Sequence, residues 1–266
     1  MLPEHGTMSA PRAEPVVLRD RATVLTLAAL LAVAAAAWIA VVSSSLEAGG
    51  ASEMALATPA DAAVFLLGWT VMMAAMMLPS ALPMIALYGA IQRKASSDAG
   101  PGVPVALFTL VYVGVWGAAG VPVYLAMLLV RGMPAPVMAY GVAAVLVAAG
   151  VYQLSPLKQV CLRACRSPLG FLLGRWRAGR AGSLSLGAAH ALYCLGCCWA
   201  LMAVLVAAGA MGLPWVLLIA AVVAAEKLAP HGEWLARVAG IALLLLGVAV
   251  AVHPDLVTAL RGAHGM

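Results

Sequence analysis

Apolar residues run along this chain in long, nearly unbroken stretches separated by short polar segments. The strict apolar/polar alternation of a half-buried strand or of a membrane β-barrel is missing from them. A hydrocarbon layer about 30 Å thick needs about 20 apolar residues per helix. Seven stretches meet or approach that length: residues 22–42, 63–91, 103–130, 136–157, 184–208, 213–228 and 235–252. The sixth is the weakest, being short and ending in Glu226-Lys227. The pattern predicts an all-α fold, a polytopic transmembrane helix bundle of about seven spans. A polar arm over residues 1–21 precedes the bundle of residues 22–252, and a tail over 253–266 follows; no second domain is expected.

Composition narrows the class further. Of 266 residues 65% are hydrophobic and 9% charged, against roughly 25% charged in a soluble domain, and the mean hydropathy is +1.04. This excludes a water-soluble enzyme, a disordered chain and a disulfide-rich secreted domain. The net charge of +5 is accordingly read as topology and not as a nucleic-acid footprint. Counted over alternate sides of the seven stretches, Lys and Arg number thirteen against two. The basic side belongs in the cytoplasm, which puts the N-terminus inside and the C-terminus outside. The first stretch also resembles a secretory signal, but its apolar run exceeds the roughly 7–15 residues of a signal core, so an uncleaved anchor is expected. The basic segment 158–183 mixes Arg with Leu, Phe171 and Trp176, as an interfacial helix on anionic lipid does.

Cysteine carries the chemical information. Five are present, as Cys161 with Cys165 and as Cys194 with Cys197 and Cys198. The first pair is spaced i, i+4, so both project from one side of a helix; it falls just past the fourth stretch, on the reducing cytoplasmic side, where a structural disulfide is disfavoured. The second group lies in the fifth stretch. At about 100° per residue, Cys194, Cys197 and Cys198 share one face with His190, while Trp199 points away. Cys194 would lie about 15 Å from the cytoplasmic end. One helix cannot wrap an ion with all four groups, so a second must complete the shell.

The second stretch offers thioethers. Met72, Met73, Met76 and Met77 form one broad face with Trp69 among them, at a depth of about 13–20 Å. Pro79 and Pro83 follow, each removing an N–H and disturbing the carbonyl four residues earlier. Freed carbonyls at that depth are tolerated where they line protein or a cavity. Thiolate and thioether together select soft ions, Cu(I) first, with Zn(II) possible when His or more thiolates join. Each group has a plainer reading. Buried Cys and Met pack well, and His190 could be a hydrogen-bonded core residue. Glu226-Lys227 reads most simply as an interfacial pair with Lys227 snorkelling.

Three blocks of sequence carry a resemblance: Trp69-Thr-Val-Met-Met-Ala-Ala-Met-Met-Leu-Pro79; Tyr152-Gln-Leu-Ser-Pro-Leu-Lys158 continuing to Cys161-Leu-Arg-Ala-Cys165-Arg; and Tyr193-Cys194-Leu-Gly-Cys197-Cys198-Trp199-Ala-Leu-Met202. With Glu226-Lys227 and Pro230, they resemble the bacterial and archaeal predicted metal-binding integral membrane proteins grouped as domain of unknown function 2182. The resemblance covers residues from about 63 to 250. It implies a multi-pass protein of a prokaryotic inner membrane that holds a metal. Its pattern falls on Trp69, Met72, Met76, Met77, Pro79, Cys161, Cys165, Cys194, Cys197, Cys198 and Glu226, with His190 less firmly matched.

The expected function is handling of a soft transition metal such as Cu(I), by transport, storage or delivery. The expected ligands are Cys194, Cys197, Cys198, His190, Cys161, Cys165, Met72 and Met76. Cys161 and Cys165 would exchange metal at the cytoplasmic face, and the other groups would hold it deeper. The expected partners are the lipid bilayer and a soluble metal carrier or a metalloprotein client, with no nucleic acid. No phosphate loop, zinc-hydrolase helix or nucleotide fingerprint suggests an enzyme. Two alternatives stand beside this reading. One is a transmembrane thiol–disulfide relay using Cys194-x-x-Cys197; the other is a non-catalytic membrane subunit whose cysteines only pack.

Overall fold

A computed structural model describes residues 21–47, 58–95, 102–177, 179–207 and 213–260. The polar arm over residues 1–20, the loop over 48–57, Arg261 and the end of the tail lie outside the described residues. Helices account for nearly all of what is described: α1 (Arg21–Glu47), α2 (Pro59–Ala95), α3 (Gly102–Ala118), α4 (Gly120–Val130), α5 (Ala135–Leu154), α6 (Pro156–Arg166), α7 (Pro168–Arg175), α8 (Gly179–Ala207), α9 (Leu213–Leu228), α10 (Gly232–Val252) and α11 (Leu256–Leu260). No strand occurs among the described residues, so the expected all-α bundle is the fold.

Among the described residues, six helical segments are long and apolar enough to cross a membrane: α1, α2, the joined α3–α4, α5, α8 and α10. The weak sixth stretch forms α9, which has 16 residues, or about 24 Å of helix at 1.5 Å per residue. That falls short of the hydrocarbon layer. The outward sides are apolar too, with Leu67, Leu110, Leu129, Leu192 and Leu245 all exposed.

Local sequence sets the breaks. Ser155 ends α5 and caps α6, its Oγ accepting from the Lys158 amide at 3.2 Å, with Pro156 at the first helical position. Ser followed by Pro favours a helix start, so the apolar run of 136–157 stops early and the chain turns into α6. Ser167-Pro168 likewise starts α7 with a proline at the first turn, without a side-chain cap from Ser167. Thus the basic segment 158–183, expected as one interfacial helix, is divided among α6, α7 and the first residues of α8. Pro79 and Pro83, by contrast, are accommodated inside a continuous α2.

Helix α8 is the most extensively buried of the long helices, flanked by α3, α5, α6 and α9, while α1 packs on α2 and α10 on α5. Small residues set the close approaches. A Cβ on Gly187 would lie 2.6 Å from the Phe108 carbonyl oxygen, and one on Gly240 would lie 2.9 Å from the Gln153 Cβ. The main core joins α2, α3, α8 and α9; a smaller one lies between α5, α8 and α10.

Candidate functional site

The two cysteine groups, separated by 29 residues from Cys165 to Cys194 in sequence, meet in space. Helix α6 packs along α8 at Gly196, where a Cβ would stand 2.7 Å from Cys161 Sγ. The absent side chain is what admits α6. The Tyr152 hydroxyl, at the end of α5, donates to the Gly196 carbonyl beside it. In this register the Cys197 thiol reaches Cys165 Sγ at 3.8 Å. Cys194, Cys197 and Cys198 are buried, and Cys161 and Cys165 are half-buried.

Each of the deeper thiols has a defined partner. Cys197 and Cys198 both donate to the Cys194 carbonyl, at 3.1 and 2.8 Å. The Cys194 sulfur has partners on other helices as well. Lys227 Nζ donates to it at 3.0 Å, and the Tyr112 hydroxyl meets it at 3.0 Å. Lys227 Nζ also lies 3.2 Å from Ser80 Oγ and 3.7 Å from Met77 Sδ. The Met77 carbonyl accepts from Ser80 Oγ at 2.9 Å and from Tyr112 at 3.5 Å, which ties the α2 wall to the sulfur group.

Lys227 therefore does not snorkel. It and Glu226 are buried, and they point to different partners. Glu226 accepts from Lys158 Nζ at 2.6 Å and from Gln153 Nε2 at 2.7 Å. Arg166 donates to the main-chain carbonyls of Glu226, Lys227 and Pro230, satisfying the open C-terminal end of α9. With its end pinned to α5 and α6, α9 must deliver Lys227 inward, to Cys194.

His190 sits one turn before Cys194 in an aromatic box. Tyr112 stacks on it at 5.5 Å between ring centroids, Phe171 meets it edge-on at 5.6 Å, and Phe108 lies at 5.9 Å. Its Nδ1 is buried without a hydrogen-bond partner. Met72 and Met76 are buried in the main core, and the methionine sulfur next to Lys227 is that of Met77. Trp199 is exposed, as its place on the helix predicts. Among the described residues, no three His, Cys, Asp or Glu side chains converge as a ready cage for a metal ion. Two of the thiols donate to a carbonyl, and the Cys194 sulfur holds an ammonium.

Electrostatics outside the spanning helices agree. Burial pushes the Cys161 thiol up from its ordinary value; Cys197 adds to the shift and Lys158 opposes it. Hydrogen bonds to Cys194 and Cys197, then burial, push the Cys165 thiol well up. Both shifts favour the protonated thiol on α6.

Sequence reasoning missed Lys227, Tyr112 and Ser80 as neighbours of the sulfur group. A signal for Lys227 was present, because an ionisable residue in an apolar run is a site candidate by default. Nothing in the apolar third stretch singled out Tyr112.

The arrangement defines a class: an all-helical protein with a buried sulfur cluster where two helices cross. The chain belongs to the PpoB2 copper chaperone family, whose model matches residues 66–250. That match takes in all five cysteines, Met77, Tyr112 and Lys227. No curated protein and no solved structure matches the chain.

Proposed function

We propose that this protein is a multi-pass protein of a prokaryotic inner membrane that binds Cu(I) and hands it to a metalloprotein client. The observation that carries the reading is the 3.8 Å separation of Cys165 and Cys197 sulfurs on different helices. Two thiolates bound at about 2.3 Å and a near-tetrahedral angle to one ion lie roughly 3.8 Å apart. Soft sulfur donors favour Cu(I), with Zn(II) the less favoured alternative. Cys165 and Cys197 form the first pair, Cys194 and Cys198 stand within one turn of Cys197, and Met77 supplies a thioether. Cys161, wedged at Gly196, fixes the crossing and offers a further thiol. His190, boxed by rings, and Met72 and Met76, packed in the core, are lesser candidates as ligands. Loading requires rotation of Cys197 and Cys198 away from the Cys194 carbonyl and loss of the thiol protons, so uptake releases protons. The exposed apolar sides of the long helices and the basic bias of one set of loops support the membrane setting.

The test is metal analysis of protein purified without chelator, wild type beside Cys165→Ser/Cys197→Ser. Copper that copurifies with the wild type and is lost from the double variant is expected. Equal copper in both removes the reading.

The same sulfur pair favours one second reading, a redox couple. Cys165 and Cys197 would each lose a proton and an electron to an external oxidant and form a bond between α6 and α8. Mass spectrometry of the protein from oxidising and reducing growth separates the two readings. A Cys165–Cys197 disulfide that comes and goes in cells, with no copper bound, supports the relay.

A further inference from the structure

Between α7 and the N-terminal part of α8 lies a cavity of about 480 Å³, within the roughly 300–1,000 Å³ of a small-molecule site. Its walls have two characters. Phe171 and Leu186, both buried, line it with Ala189 and Gly174, whereas Arg175 and Arg177, both exposed, bring charge to it. The local fold fixes these arginines. The Arg175 guanidinium lies over the rings of Phe171 and Tyr193, at 5.5 and 5.0 Å from their centroids, and donates to the Tyr193 hydroxyl at 2.7 Å. Trp176, between the two arginines in sequence, packs on Tyr88 of α2 at 6.0 Å. Gly179 makes the turn into α8 with a φ of 77°, a conformation that glycine adopts without steric cost. A Cβ on Gly182 would collide with the Arg177 carbonyl, so the missing side chain lets the main chain of Arg177 lie against α8. Among the described residues neither guanidinium has a carboxylate partner; Glu226 and Glu233 are taken by Lys158 and Arg163.

We propose that this groove is a binding site for the phosphodiester headgroup of an anionic phospholipid, with Arg175 and Arg177 on the phosphate and the glycerol end against Phe171, Leu186 and Ala189. The inference rests on the membrane setting of the reading above and is independent of copper. Guanidinium groups present paired N–H donors that match phosphate oxygens, and two without a carboxylate attract an anion. Arg175 is already held by two rings, so little side-chain freedom is lost when a headgroup binds. The groove lies on the side of the chain where Lys and Arg are concentrated, the side that faces anionic lipid in an inner membrane. A free phosphate would gain nothing from the apolar wall, whereas a lipid uses both parts of the cavity. Leu169 and Leu173, exposed on the same short helix, offer further apolar surface to acyl chains.

The experiment titrates the full chain, purified in a neutral detergent, with phosphatidylglycerol, phosphatidylcholine or inorganic phosphate, and reads the bound molecules by native mass spectrometry. Wild type is expected to hold phosphatidylglycerol at least about fivefold more tightly than phosphatidylcholine, the factor that one basic residue near an anionic surface supplies. Arg175→Gln/Arg177→Gln should lose that preference. Arg163→Gln removes a charge from the same basic segment outside the groove and should keep it. Gly174→Leu tests the cavity itself. A Cβ on Gly174 meets no atom within 4 Å, so the new side chain has room and fills the groove. It should weaken phosphatidylglycerol binding at least about fivefold and change the unfolding midpoint little. Equal retention of the two lipids by wild type overturns the proposal. So does an equal loss in Arg163→Gln, which would mark a diffuse basic surface. Undiminished binding in Gly174→Leu overturns it as well, even if the double arginine variant fails to fold. Inorganic phosphate that competes as well as the lipid would mark a free-anion site and has the same consequence. Protein found in the soluble fraction of cells would sink the membrane reading and this proposal together; protein that sits in the membrane without headgroup preference sinks this proposal alone.

Discussion

Cys161 occupies the space that Gly196 leaves open on α8: a Cβ at Gly196 would come within 2.7 Å of its sulfur. That single contact sets how closely α6 can lie on α8, and with it whether Cys165 can reach Cys197. Gly196→Ala must push α6 outward or force Cys161 from its position. Overpacking of this kind costs about 1–3 kcal/mol. The expected result is a lower unfolding midpoint and reduced copper content in the purified protein. Cys161→Ala in the same background should recover part of the stability, because it removes the clashing sulfur. Gly196→Ala with an unchanged midpoint and full copper content would show that the crossing is looser than the contact indicates.

The Lys158–Glu226 pair, at 2.6 Å with both side chains almost wholly buried, holds the end of α9 against α6. Removing one partner leaves a buried charge unpaired, at a cost of about 3–5 kcal/mol. Glu226→Leu and Lys158→Met should each destabilise the protein by roughly that amount. The double variant should regain most of the loss, because two apolar side chains of similar volume need no partner. Stability measured by denaturant titration in micelles checks both halves. The surface pair Arg163–Glu233, at 3.2 Å and largely exposed, is the internal control and should contribute about 1 kcal/mol or less.

The long helices were legible because bilayer-length apolar runs leave few alternatives to helix. The Ser155-Pro156 break was legible in principle as a helix-start signal, but the apolar residues on both sides masked it. The common face of Cys194, Cys197 and Cys198 followed from helical period alone. Their partners did not follow, because the partner of a helix face depends on the register between helices. Cys165 meets Cys197 through a glycine notch at Gly196, and one sequence does not reveal which glycine is a notch and which merely lines a span. Lys227 was misread for a related reason. At a helix end a lysine near an apolar boundary usually reaches for water. Here Arg166 and Lys158 occupy the polar positions around that end, so Lys227 turns to the sulfur instead.

Thiol reactivity at α6 should follow the pH sense of its surroundings. Burial and the neighbouring Cys197 raise the Cys161 thiol, so less thiolate is present at neutral pH than in a free cysteine, whose value is about 8.5. Alkylation of Cys161 in metal-free protein should be slow at neutral pH and should climb only at pH above the midpoint of a free thiol. Lys158→Met removes the one nearby group that opposes the shift and should move the profile to still higher pH. Rates followed by mass spectrometry across pH test this. A profile midpoint below that of free cysteine would contradict the burial argument.

The methionines divide by position, and the division is measurable. Met77 presents its sulfur 3.7 Å from Lys227 Nζ, next to Cys194, whereas Met72 and Met76 are packed in the core. Met77→Leu keeps the volume and removes the thioether. It should weaken Cu(I) binding by about tenfold, the lower end of what losing a partner group around a metal costs. Leu is a near-isosteric replacement for Met and disturbs packing little, by about 1.5 kcal/mol or less, so the fold should survive all three substitutions. Met72→Leu and Met76→Leu should leave the affinity close to that of the wild type. Competition with a Cu(I) chelator under anaerobic conditions gives the ranking. If Met72→Leu or Met76→Leu loses as much affinity as Met77→Leu, the metal site extends further along α2 than the contacts at Lys227 indicate.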